Sequence, residues 1–141
     1  TLSPNMGVVT SNVISIGELS RLSGVSPHTL RFYEAEGILK PAGRAANGHR
    51  RYRREDILWL EFVLRLKLTG MPLAEIKQYA VLRAQGEETL QLRLAMLKLH
   101  RERLVTKIEE LSTCARALDD KIHTYRQMIA KSLAPNGKAA K

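Results

Sequence analysis

The chain has a single cysteine in 141 residues and only 14 acidic side chains against 23 lysines and arginines. One cysteine excludes an intrachain disulfide framework and any metal site built from several thiolates of one chain. The four histidines, His28, His49, His100 and His123, lie far apart and form no i,i+4 ligand pair, so no metal site is expected. No apolar run approaches the roughly 20 residues of a membrane-spanning helix, and no secretory leader pattern opens the chain. A cytoplasmic protein with no membrane partner is the expectation. Phosphate-cradling glycine loops, zinc-protease helices and nucleophile-base sets are missing too, so neither an enzyme nor a cofactor is expected.

The shortage of acid leaves a formal net charge of +9, which asks for a polyanionic partner. The excess is densest from Lys40 to Arg54, where six basic residues occur with no acidic one. Charge concentrated there, and not along the C-terminal half, favours nucleic acid over a membrane surface.

The chain is predicted to be mainly α. Thr1 to Asn12 carries Pro4, Gly7 and polar residues without period, and the start without methionine fits either processing or an expression remnant; 1–12 is expected to be a flexible tail. Ser15-Ile-Gly-Glu18 has the capping-box pattern, with Ile16, Leu19 and Leu22 on one face and Gly24 as a stop. Ser26-Pro27 then opens a second short helix that Gly37 closes. Two short helices across a glycine-containing turn predict a helix-turn-helix, with an ordinary helical hairpin as the alternative. On the second helix Leu30 and Phe32 are expected to be buried. His28, Thr29, Arg31 and Tyr33 are expected on or beside the exposed face.

Asn47-Gly48 is a preferred hairpin dipeptide and predicts the tip of a basic β-ribbon, a wing. Arg44 on one limb and His49, Arg50, Arg51 and Tyr52 on the other are candidates for gripping phosphates. Downstream, Ile57, Leu60, Leu64 and Leu68 mark the expected buried stripe of a third helix ending at Gly70. Leu73, Ile76, Tyr79 and Ala80 mark a fourth, and Trp59 is expected in the core between them. Lys67 is within reach of a phosphate or simply solvated. The winged helix-turn-helix domain is expected over 13–84.

From 87 to 131 the residues Leu90, Leu94, Leu97, Arg101, Leu104, Ile108, Leu111, Ala115, Leu118, Ile122, Tyr125 and Ile129 alternate by fours and threes. That is a coiled-coil seam, on a helix of about 65 Å at 1.5 Å per residue, too long for the small domain before it to cover. Its simplest partner is the same helix of a second copy, giving a homodimer with two reading helices for two inverted half-sites. Residues 132–141 are expected to be a flexible tail, leaving no room for a separate ligand-binding domain.

Ile16-Gly-Glu-Leu19, Thr29-Leu-Arg-Phe-Tyr-Glu34 with Gly37-Ile-Leu-Lys-Pro41, Arg50-Arg-Tyr52, Asp56-Ile57 and Gly70-Met-Pro-Leu-Ala-Glu-Ile76 together resemble the MerR family of bacterial transcription regulators. The resemblance covers Ile14 to about Arg83, with the long helix in the expected place. It implies a winged-helix DNA-binding domain and an antiparallel helix pair joining two protomers. It also implies binding between the two hexamers of an overlong promoter spacer, with bending and undertwisting that let RNA polymerase use both. Carried over to this chain, the DNA-binding candidates are His28, Thr29, Arg31 and Tyr33 on the reading helix and Arg44, Arg50, Arg51 and Tyr52 on the wing.

The segments Met71 to Tyr79, Gly86 to Leu90, Asp120 to Ile122 and Tyr125-Arg126 are similar to the aldehyde- and nitric-oxide-responsive branch of that family. This chain departs from the branch because its DNA-binding part holds no cysteine. Cys114, flanking the seam beside Arg116, is the one candidate sensor thiol, and packing at the helix interface is its alternative role. Other functions with the same features are an architectural or excisionase-like DNA protein without a signal and a basic coiled-coil scaffold.

Overall fold

The computed structural model describes residues 12–134, so most of each expected tail lies outside the described residues. It falls into two units, Thr1–Lys98 and Leu99–Lys141.

In the first unit, strand β1 (Val13–Ser15) leads directly into helix α1 (Ile16–Ser23). Ser15 supplies the cap, its hydroxyl oxygen accepting the Glu18 N–H at 3.1 Å. Glu18 turns its own carboxylate to Arg21 at 3.6 Å. Gly24, at φ 79°, stops the helix in the left-handed conformation that costs glycine least. Helix α2 (Pro27–Ala35) begins at once, with the Ser26 hydroxyl oxygen accepting the Thr29 N–H and Pro27 fixing the first turn. It ends where Ile38 N–H bonds back to the Tyr33 carbonyl at 2.8 Å, across Gly37 at φ 80°.

Strands β2 (Gly43–Arg44) and β3 (Arg50–Arg53) form the ribbon, and β1 joins it, giving an antiparallel sheet ordered β1-β3-β2. Ile14 pairs with Tyr52, and Arg51 lies between Ser15 and Gly43. The ribbon tip differs from a two-residue turn. Only Gly48 has positive φ, and an Ala45–Gly48 turn is closed by Gly48 N–H to the Ala45 carbonyl and Ala45 N–H to the His49 carbonyl. Both primed two-residue turns need positive φ at the first central position; with Asn47 outside that region, a three-residue loop with a left-handed glycine results.

Helices α3 (Asp56–Leu68) and α4 (Leu73–Ala84) follow. The buried stripe of α3 is Trp59, Leu60, Val63 and Leu66, while Leu68, expected inside, is 86% exposed. Leu64 to Leu68 and Leu60 to Leu64 are each one helical step apart, but the stripe drifts toward 59/63/66 because Trp59 sets the inward face. Its indole N–H donates to the Ile38 carbonyl at 2.8 Å and its ring stacks on Tyr79, 5.9 Å between centroids. The Arg83 guanidinium covers the ring at 4.3 Å. The core thus gathers α1, α2, α3 and β3 around Leu19, Leu30, Leu39, Tyr52, Leu60 and Val63.

A 3₁₀ turn (Gly86–Thr89) links to helix α5 (Leu90–Leu133). The Thr89 hydroxyl donates to main-chain oxygens of Leu82 and Gly86, and Arg93 returns to Thr89 and Gly86 at 3.0 and 2.8 Å. Met96 and Leu97 pack against the core. In the second unit α5 continues as a single helix to Leu133.

Candidate nucleic-acid interface

Nine residues of α2 make two and a half turns, and helical geometry decides which of them face outward. His28, Arg31 and Phe32 recur at i, i+3, i+4 and are exposed; Leu30 and Tyr33 share the opposite face and are buried. The expected pairing of Leu30 with Phe32 on the inside fails, because residues two apart point about 200° from one another. Phe32 is 43% exposed and Tyr33 only 2%, so it is Phe32, not Tyr33, that accompanies Arg31 on the open surface. Thr29 is half-buried, its hydroxyl oxygen accepting from the Ser26 hydroxyl.

Tyr52 is the second correction. It is fully buried, its ring in the core and its hydroxyl donating to Glu34 Oε1 at 2.7 Å. Burial and the neighbouring Glu34 carboxylate push its phenol up to about 12, so it stays protonated and keeps donating. Alternation along β3 then sorts the arginines: Arg50 shares the face of Tyr52, and Arg51 and Arg53 point to the other. The Arg50 Nε–H donates to Glu34 Oε2 at 2.7 Å, so one carboxylate on α2 holds two side chains of the wing strand.

These placements create a concave cleft of about 330 Å³ lined by Ser15, Ile16, Arg31, Arg44, Gly48, His49, Arg50 and Tyr52. Of the expected residues it gathers Arg31, Arg44, Arg50 and the buried Tyr52; His28, Thr29, Tyr33 and Arg51 lie outside its lining. Arg44 braces the tip by donating to the Gly48 carbonyl at 2.9 Å. Three guanidinium groups and a histidine around one hollow suit phosphate oxygens, which accept forked hydrogen bonds from arginine.

A second groove, of about 280 Å³, adjoins the reading helix and is lined by Phe32, Tyr33, Lys67, Met71, Leu73 and Ile76. The Tyr33 hydroxyl is buried with no hydrogen-bond partner among the described residues, and burial raises its pKa. Lys77 reaches Glu36 at 3.0 Å and ties α4 to the end of α2. Sequence reasoning placed Lys67 near a phosphate but did not connect it to Phe32. The spacing of Phe32 from His28 was the signal available.

Among the described residues, no group of three or more histidine, cysteine or acidic side chains is placed to hold a metal, and no helix is long and apolar enough to cross a membrane. Cys114 is exposed on α5.

A short helix pair presenting Arg31 beside a basic two-stranded wing defines a winged helix-turn-helix DNA-binding protein. The model of the MerR HTH family regulatory proteins matches residues 14–81, and that of the MerR DNA-binding region matches 57–130. The chain belongs to the MerR family and is a DNA-binding transcription regulator of that type. An uncharacterized HTH-type regulator of Haemophilus influenzae is 36% identical over 107 residues, covering 76% of this chain and 79% of that one. The regulator AdhR of Bacillus subtilis is 32% identical, over 65% and 66% of the two chains. The crystal structure of HiNmlR, described as a MerR family regulator lacking the sensor domain and bound to promoter DNA, superimposes with TM-score 0.73 at 33% identity. It covers 86% of this chain and 94% of that one. These neighbours fit the NmlR/AdhR-like branch.

Proposed function

We propose that the chain acts as a homodimer that binds a palindrome in a promoter spacer and distorts the DNA so that RNA polymerase can use both hexamers. The observation that carries this reading is the arginine cleft between α2 and the wing, held as one surface by the Glu34 carboxylate. Arg31, Phe32 and His28 enter the major groove, Arg44 and Arg50 grip the flanking phosphates, and Lys67 extends the contact past Phe32 to the next phosphate. Dimerisation uses the apolar side of α5, where Ile108, Leu111, Leu118, Ile122, Tyr125 and Ile129 stand exposed at seam spacing. Domains held apart by the paired helices engage both half-sites only when the intervening DNA is deformed, and the contacts of two domains offset that cost.

The signal belongs to the same proposal: an aldehyde, electrophile or nitrosating agent read at Cys114, which is exposed on the single helix α5 and flanks the seam. The test is a footprint of the purified protein on the promoter of its own or a neighbouring operon. Transcription is assayed in parallel for wild type and Cys114→Ser with and without the reagent. Protection of a spacer palindrome with stimulated open-complex formation is the expected result, and induction lost in Cys114→Ser assigns sensing to the thiol. Protection without any change in transcription would overturn regulation by distortion in favour of an architectural role, and unchanged induction would remove Cys114 as the sensor.

A further inference from the structure

Within the most basic surface of the molecule sits one engaged carboxylate. Glu34 belongs to the reading helix, its side chain is 16% exposed, and each of its oxygens accepts a 2.7 Å hydrogen bond from the wing strand. One donor, the Tyr52 hydroxyl, comes from a fully buried ring, so the anchor cannot drift. The other, Arg50 Nε, belongs to a side chain 42% exposed that lines the cleft. A stability role alone would be met by Tyr52; pairing Arg50 as well places a negative charge directly behind a cation that faces the DNA.

We propose that Glu34 is a specificity-determining positioning residue: it orients the wing on the reading helix and, by partly cancelling the charge of Arg50, suppresses binding to DNA of arbitrary sequence. Non-specific affinity scales with the number of phosphates that cations neutralise. An arginine already paired with a carboxylate releases less free energy on meeting a phosphate, because it must share or give up that partner. Operator DNA, seated on Arg31, brings its phosphate to the Arg50 side chain that Glu34 has oriented; random DNA meets a wing of reduced charge. The inference rests on the reading of the cleft as the DNA-contacting surface.

The test compares the wild-type chain, Glu34→Gln, Arg50→Gln, the double variant and Arg44→Ala, on operator and random duplexes across a salt series, with thermal melting alongside. Glutamine keeps the shape of the side chain and hydrogen-bonding capacity toward Tyr52 but removes the charge. Glu34→Gln is expected to raise affinity for random DNA about threefold to tenfold near 0.1 M salt and to steepen the salt slope by up to about 0.9, the increment of one freed cation. Operator affinity should gain less, so the ratio of specific to non-specific binding falls. In the Arg50→Gln background the gain on random DNA should vanish.

Equal losses on both DNAs, accompanied by a lowered melting temperature, would mean that Glu34 only holds the fold, and would overturn the proposal. So would a gain on random DNA that persists without Arg50. Arg44→Ala separates the premise from the inference. If it weakens random-DNA binding while Glu34→Gln changes nothing, the cleft contacts DNA and Glu34 has no selective role. If it too changes nothing, the cleft itself is misassigned.

Discussion

In the DNA-binding unit Leu19, Leu30, Leu39, Leu60 and Val63 are fully buried, and even Trp59 and Tyr52 have their polar atoms bonded. In the C-terminal unit Ile108, Leu111, Leu118, Ile122, Tyr125, Met128 and Ile129 all leave roughly half or more of their surface open. Both stretches are rich in aliphatic residues, so composition does not separate them. The difference is in closure. Short elements joined by glycine turns fold back and cover one another, whereas one uninterrupted helix can cover nothing of itself and leaves its apolar side open. The first unit holds its arginines on a closed core; the second leaves an apolar stripe uncovered.

The largest expected effect tests that division. Leu111→Glu combined with Leu118→Glu keeps good helix formers on α5 but places charge on the seam. A twofold dimer loses four buried leucines, on the order of 6 kcal/mol or more at about 1.5–3 kcal/mol each. Sedimentation should show a monomer, and operator affinity should fall more than a hundredfold, on the scale of losing one of two linked half-sites. The melting transition of the DNA-binding unit should persist. A variant that still sediments as a dimer would break the comparison, since the exposed seam would then not be the interface.

Next in size is the reciprocal change. Leu60→Ala removes a fully buried side chain from the first unit and should cost about 2–5 kcal/mol of its stability, read by denaturant unfolding. The oligomeric state below the unfolding transition should stay the same. Loss of dimerisation in step with stability would show that the two units do not act separately.

Smaller effects distinguish the two faces of the wing. Arg31→Ala should cost about 1–3 kcal/mol on operator DNA and little on random DNA, as for a base contact. Arg44→Ala should weaken both alike and lower the salt slope by about 0.9. Arg51→Ala, whose side chain leaves β3 away from the cleft, should change either affinity less than Arg44→Ala does. Electrophoretic titration at three salt concentrations is sufficient, and an Arg51 effect equal to that of Arg44 would contradict the facing drawn from strand alternation.

What was legible in the sequence follows the range of the forces involved. Caps and stops are local, so Ser15, Gly24, Ser26 and Gly37 mark α1 and α2 correctly. The long period of α5 survives because, among the described residues, no other element packs along most of its length. The facing of α2 was misjudged at Phe32 and Tyr33, where two adjacent aromatics offer no contrast in hydrophobicity and only the 3.6-residue period discriminates. The Glu34 contacts to Tyr52 and Arg50 span 18 and 16 positions between a helix and a strand; nothing in spacing announces them. Strand β1 is three residues long and exists because Ile14 finds Tyr52 across the sheet, a non-local partner again.

The smallest effect concerns Asp56, a buried acid at the start of α3 whose Oδ2 accepts the Arg53 N–H at 3.1 Å. Burial raises its pKa above the ordinary 3.8, and the Arg53 bond and nearby cations only partly oppose it. The folded state therefore holds this proton more tightly than the unfolded chain does. Its contribution to stability is complete below 3.8 and drains away as pH rises through the folded value. Asp56→Asn keeps an oxygen for the Arg53 N–H and does not titrate. Measured against wild type by denaturant unfolding at successive pH values, the variant should gain relative stability as pH rises from about 4, the ordinary carboxylate range, by a fraction of the Leu60→Ala effect. The other carboxylates titrate in both proteins and cancel in the difference. A stability difference constant from acid to neutral pH would show that the carboxyl is as easily ionised in the folded state as in the unfolded one, and that the helix start tolerates the charge without cost.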